Sequence, residues 1–168
     1  MLHFLSSCFW LLIPAFLWNL LLWRYLPPEF QKETWDDIPR WLSLMENAAR
    51  IIVFLFSAVL LLQVRTAVQV AGLAMYGAGS LVYFASWIPQ IRHPGGRWSR
   101  SLPGFCAPAY TPLVWLAGIA LMGQRMLFDV WYRFWIYILL SVAFVGLHTF
   151  HAVSVHGRVM RGRGGLGR

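Results

Sequence analysis

Charge is what this chain has least of. Asp, Glu, Lys and Arg make up 12% of its 168 residues, and none occurs in the stretches 1–23, 66–91, 101–124 or 134–157. Uncharged stretches of that length exclude an ordinary soluble domain, and each reaches the roughly 20 residues with which a helix crosses a hydrocarbon core. A fifth stretch, 51–64, is shorter. Extended back to Trp41 it makes a full crossing, provided that Glu46 and Arg50 sit near the headgroups. Regular alternation of apolar and polar residues is missing as well. That excludes a membrane barrel and leaves helices, the other structure that satisfies its own backbone in lipid. The expected fold is all-α: one integral membrane domain over 1–157 with spans at about 4–23, 43–64, 66–91, 103–124 and 134–157, and a basic, disordered tail over 158–168.

Other absences narrow the function. The only cysteines, Cys8 and Cys106, are too few for a zinc site. The topology derived below puts them in opposite leaflets, too far apart for a disulfide. No phosphate loop, metal motif or nucleophile with base and orienting partner is visible, so no cofactor or metal is expected. The chain is read as not an enzyme. A catalytic reading, a lipid-acting enzyme, rests only on His148, His151 and a basic rim. The first segment lacks a positive n-region and a small-residue cleavage site, so it is expected to stay attached.

What the chain does have is basic residues on one side. Five spans place Arg65, Arg125 and Arg133 on the side of the N-terminus. Eleven others lie opposite: Arg24, Lys32, Arg40, Arg50, Arg92, Arg97, Arg100, Arg158, Arg161, Arg163 and Arg168. This bias orients the N-terminus outside and the C-terminus in the cytoplasm. The net charge of +8 is thereby assigned to anionic lipid headgroups and not to nucleic acid, with Arg92, Arg97 and Arg100 as headgroup contacts.

Along the chain, Pro27-Pro28 stops the first helix. The mixed-charge, aromatic stretch 29–42 reads as a cytoplasmic interfacial segment, with Trp35 and Trp41 at headgroup depth. Glu46 and Arg50, four apart, make a salt bridge at the membrane edge. Segments two and three, joined by little more than 63–66, form an antiparallel hairpin. Segment three carries AGLAMYGAGS, where Gly72, Ala74, Ala78 and Gly79 permit close helix approach. That makes segment three the expected centre of the bundle. Asp129 is expected to pair with Arg125 or Arg133.

Prolines mark the candidate site. Pro89 near the end of segment three frees the carbonyl of Ala85, and Pro108 and Pro112 in segment four free those of Gly104 and Pro108. Freed carbonyls at membrane depth must be satisfied by protein, water or a ligand. Broken helix ends of this kind build sites and hinges in transporters. The expectation is a cytoplasm-facing cavity lined by Pro89, Gln90, Tyr110, Thr111 and Pro112, with His148 a lesser member. His148 and His151, three apart on segment five, can relay protons or bind metal. On this reading no carboxylate accompanies them in a span, and residues so spaced cannot ligate both faces of one porphyrin. The simpler reading is hydrogen bonding to Asn19, Gln69 or a freed carbonyl.

The order SWIPQI, basic loop, SLPGF resembles the PQ-loop (SWEET/cystinosin-like) family of small transporters. Pro89-Gln90 and Ser101-Leu102-Pro103-Gly104 occupy the motif positions within a three-helix unit at residues 67–157. The resemblance implies a small-solute transporter with Pro89 as a hinge, needing a partner copy to enclose a path. Two extra helices precede the unit. The competing reading is a non-catalytic partner subunit or assembly factor, favoured by the ten tryptophans and the close-packing glycines.

Overall fold

The computed structural model describes residues 6–31, 34–35, 38–128 and 130–165, with side chains through Arg161. Helix α1 (Ile13–Leu22) is extended by 3-10 turns at Cys8–Leu12 and Trp23–Tyr25. It is followed by α2 (Arg40–Val59), α3 (Ala67–Arg92), the single turn α4 (Arg97–Arg100), α5 (Leu102–Tyr110), α6 (Pro112–Met122) and α7 (Phe134–Gly165). Five runs are long and apolar enough to cross a membrane: Cys8–Tyr25, Arg40–Val59, Ala67–Arg92, Leu102–Met122 and Phe134–Arg161. They coincide with the five expected spans to within five residues at either end.

Local chemistry sets the helix ends. Thr66 opens α3 with a capping box: its hydroxyl accepts from the Gln69 N–H at 3.3 Å, while Gln69 Oε1 accepts from Thr66 N–H at 3.1 Å and Arg65 N–H at 2.8 Å. Those donors have no partner inside the helix. Ser101 caps α5 through Gly104 N–H. Thr111 keeps helical angles between α5 and α6, so segment four is one nearly continuous rod across Pro112. Two extended pairs, β1 (Leu60–Leu61) and β2 (Arg125–Met126), join antiparallel at the ends of α2 and α6, and Ser7 bridges to Leu61. The last helix runs to Gly165, past the point where a disordered tail is expected. Propagating an established helix costs far less than nucleating one, and Arg161 donates to the Gly157 carbonyl at 3.1 Å. Asp129 lies outside the described residues, as do Lys32, Glu33, Asp36 and Asp37.

Two expectations about packing need correction. The hydrophobic centre is segment four, not three: 72% of its apolar window is buried, against 22% in α3. Leu116, Ile119 and Ala120 are fully enclosed. Segment two packs chiefly on α7, where Ser57 Oγ and the Tyr137 hydroxyl lie 2.7 Å apart, and α3 packs chiefly on α6, so the linked pair α2 and α3 is not a packed hairpin.

The α3–α6 seam depends on glycine. A Cβ at Gly79 would come 2.6 Å from Trp115 N, one at Gly118 2.6 Å from Tyr76 N, and one at Gly72 2.8 Å from Leu121 Cβ. Ala74 and Ala78 face outward instead. Seven residues bring Gly79 back to nearly the face of Gly72, whereas Ala74 lies about 200° round from it. Outward faces are apolar, with Leu20, Leu44 and Leu81 at least 70% exposed. Water does not favour such a surface, and lipid accepts it.

Because backbone meets backbone at this seam, Gly118→Ala should cost about 1–3 kcal/mol by overpacking. Ala78→Leu on the outer face should stay within about 0.5 kcal/mol. Thermal melting of the purified variants in detergent measures the difference, and equal melting temperatures would remove the seam from the account of stability.

Candidate functional site

Glu46 lies two turns into α2, about 9 Å along the helix from its start, and is 4% exposed. An ionised carboxylate so buried needs donors on all sides. It has them. Arg50, one turn on, binds Oε1. His148 Nδ1 lies 3.0 Å from Oε1 and His151 Nδ1 2.6 Å from Oε2. His151 Nε2 reaches the Trp35 carbonyl at 3.4 Å. The expectation that no carboxylate accompanies the histidines in a span is thus wrong. Their partner is Glu46, and neither Asn19 nor Gln69 bonds them: Asn19 accepts from the Tyr83 hydroxyl at 2.8 Å, and Gln69 caps α3. The cause is where α2 begins. It starts at Arg40, and that start carries Glu46 inside the bundle opposite α7.

Trp35 also departs from its interfacial role. Its indole N–H donates to the Glu29 carbonyl at 3.1 Å, and its ring lies 4.8 Å from that of His151 and 6.0 Å from that of His148. It lids the carboxylate cluster, while Trp41 is 57% exposed. The Arg50 guanidinium stands over the Phe144 ring at 5.7 Å, and Phe144 stacks on His148.

Beside this cluster lies a cavity of about 470 Å³. All five candidate spans contribute to it. Its walls are mainly aromatic, among them Phe16, Phe54, Phe105, Trp115 and Phe144, and its polar groups include Asn19, Arg50, Tyr83 and His148. Helix α1, which has no buried residue of its own, forms one wall.

The residues picked from the prolines divide between two places. Pro112 and His148 line the cavity. Pro89, Gln90, Tyr110 and Thr111 are not among its lining residues. Gln90 is 1% exposed and its amide N–H donates to the Gly104 carbonyl at 2.6 Å, the carbonyl from which Pro108 withholds a helical donor. The Pro89 carbonyl accepts from Ser99 Oγ at 2.9 Å and from His93 N–H at 3.0 Å. Thr111 Oγ1 donates to Ala107 O, and Tyr110, 40% exposed, sends its hydroxyl to within 3.3 Å of Pro103 O. The loop therefore closes on itself with protein partners. Arg92, Arg97 and Arg100 are exposed around it, and His156 Nε2 donates to the Arg100 carbonyl at 2.9 Å, pinning the loop to α7.

Chemically the site can hold a proton on either imidazole and present hydrogen-bonding groups to a molecule in the cavity. Among the described residues no group of three His, Cys, Asp or Glu is arranged to hold a metal ion. Both Nδ1 atoms are committed to the carboxylate. Sequence reasoning paired Glu46 with Arg50, a bond the structure has, but left it at the membrane edge and missed its two histidine partners. The signal for its depth was that it is the only acid in the apolar run of segment two. Comparison with family models, with curated proteins and with solved structures returns no match for this chain.

The Gln90 bond makes a test of the loop. Gln90→Leu leaves the Gly104 carbonyl buried without a donor, a loss of about 1–3 kcal/mol. Pro108→Ala restores a backbone N–H four residues on. The double variant should therefore recover most of the loss in thermal melting, and additive effects of the two substitutions would refute the pairing.

Proposed function

We propose that this chain is a multi-pass membrane protein working as a transporter or permeation unit for a small solute, with the aromatic cavity as its site. The observation that carries the proposal is the cavity itself. It encloses polar groups from α1, α2, α3 and α7 at a depth where the surrounding surface is apolar. Polar and ionisable groups are costly inside a membrane, and where they gather around a space they mark a pathway or a site. The orientation proposed is N-terminus outside and C-terminus in the cytoplasm, from the eleven-to-three distribution of basic residues.

The PQ-loop likeness belongs to the same proposal. In it, Pro89-Gln90 serves as the clasp that holds segment three to segment four, and Pro112 and His148 face the solute. Anionic headgroups contact the exposed arginines of the loop, and a second copy of the chain or another membrane protein completes the path. A second reading, a non-catalytic partner subunit, is favoured by the self-satisfied loop and the outward Tyr110.

Two measurements separate these. Proteoliposomes should release trapped arbutin, an uncharged aromatic that crosses bare lipid slowly, faster than protein-free liposomes and faster than they release trapped glucose. Ala15→Trp, which fills the cavity from α1, should return release to background while the protein still assembles. Release that Ala15→Trp leaves unaltered, or none above background, puts the partner-subunit reading in front. For orientation, a single cysteine at position 165 in a Cys8→Ala, Cys106→Ala background should be silent to an impermeant thiol reagent in intact cells. Labelling there would invert the topology.

A further inference from the structure

The polar groups of the cavity specify a kind of solute. His148 presents Nδ1 to Glu46 Oε1 at 3.0 Å. A carboxylate only accepts, so Nδ1 carries the proton, and in the uncharged ring Nε2 keeps its lone pair. The contacts of His148 use Nδ1 and the ring face, and Nε2 has no hydrogen-bond partner among the described residues. His151 differs: both of its nitrogens are engaged. His148 is therefore an acceptor held in place by a buried carboxylate on the wall of the cavity.

A donor stands elsewhere on the same walls. It is not Trp115, whose indole N–H is buried out of reach of the cavity. Asn19 has its oxygen occupied by the Tyr83 hydroxyl at 2.8 Å, which leaves its NH2 group to donate.

Net charge argues against an ion. The one arginine on the cavity wall, Arg50, is already bound to Glu46 and stands over Phe144, so the pair has no net charge to offer an anionic group. Flat aromatic walls favour a flat ring, by stacked and edge-on contacts that add to apolar burial.

Resting on the cavity as the solute site, we infer that its ligand is an uncharged phenolic aromatic: a hydroxyl donates to His148 Nε2, the ring packs between Phe144 and the facing aromatics, and a second oxygen accepts from Asn19. Glu46 acts as a positioning residue, holding the His148 tautomer. The volume, about 470 Å³, lies within the range of small-molecule sites and accommodates one or two fused rings.

Equilibrium binding of naphthalene derivatives to the purified protein in detergent, followed by fluorescence, tests this without any flux. 2-Naphthol should bind at least tenfold more tightly than naphthalene and more tightly than 2-naphthoate. His148→Leu should abolish the preference for naphthol over naphthalene. 2,6-Dihydroxynaphthalene should gain a further advantage over 2-naphthol, and Asn19→Leu should reduce that gain. Equal binding of naphthol and naphthalene would overturn the proposal as mere apolar sticking, and tighter binding of naphthoate would overturn it in favour of an anion site at Arg50. Should His148→Leu fail to fold, the comparison of the three ligands on the unaltered protein decides alone. Failure here leaves transport of another solute class standing, whereas binding without release from proteoliposomes would count against transport and not against the phenolic ligand.

Discussion

One buried negative charge organises one half of this molecule. Glu46 can remain ionised in the bundle only if donors replace the water it has lost, and Arg50, His148 and His151 are those donors. Satisfying it draws α7 onto α2 and brings Trp35 over the two imidazoles. Removing one member of such a group leaves a charge uncompensated, which is why a single side chain holds three elements in one arrangement. The same bonds set which nitrogen of His148 is free, and with it the chemistry of the cavity wall.

Hydrogen-bond accounting also explains the loop between segments three and four. Pro108 denies Gly104 its helical donor, and the Gln90 amide takes that place. Ser99 reaches the Pro89 carbonyl in the same way. Gly104 is packed so closely on the Trp98 carbonyl that a Cβ there would collide with it. The prolines thus create demands that neighbouring polar side chains meet, and the outcome is a crossing between helices whose freed carbonyls are satisfied from within the protein.

The sequence makes the number and rough limits of the candidate spans readable, because an uncharged run of about 20 residues has few alternatives in a bilayer. Gly72 and Gly79 were also readable as close-packing positions. Which segment they pack against was not. Apolar periodicity is weak when a helix meets lipid on one side and protein on the other, since both favour the same residues. Hence segment four, uniform in hydropathy, conceals that it is the centre, and Ala74 and Ala78 look like contact residues when they face outward. The candidate site was half readable. Pro112 and His148 were found from local chemistry, but the link to Glu46 joins positions 102 residues apart, and a shift of a few residues in the start of α2 moved that carboxylate from the edge to the interior.

The small sheet at the far end of the bundle has a mechanical consequence. There the first, second and fourth segments are tied by backbone bonds: Leu62 N–H to Ser6 O and Leu127 N–H to Val59 O, both at 2.7 Å, beside the Leu60–Met126 and Leu61–Arg125 pairs. At the cavity, the first segment is held by side chains alone, such as the Asn19–Tyr83 bond and the Phe16–Phe54 and Trp18–Phe84 ring contacts. The segment is therefore a lever clamped at one end. An 18-residue arm is about 27 Å long, so a tilt of about 10° at the clamp would move its far end by about 5 Å, and the contact that would have to part is the stacking of Phe30 on Phe105 just beyond that end.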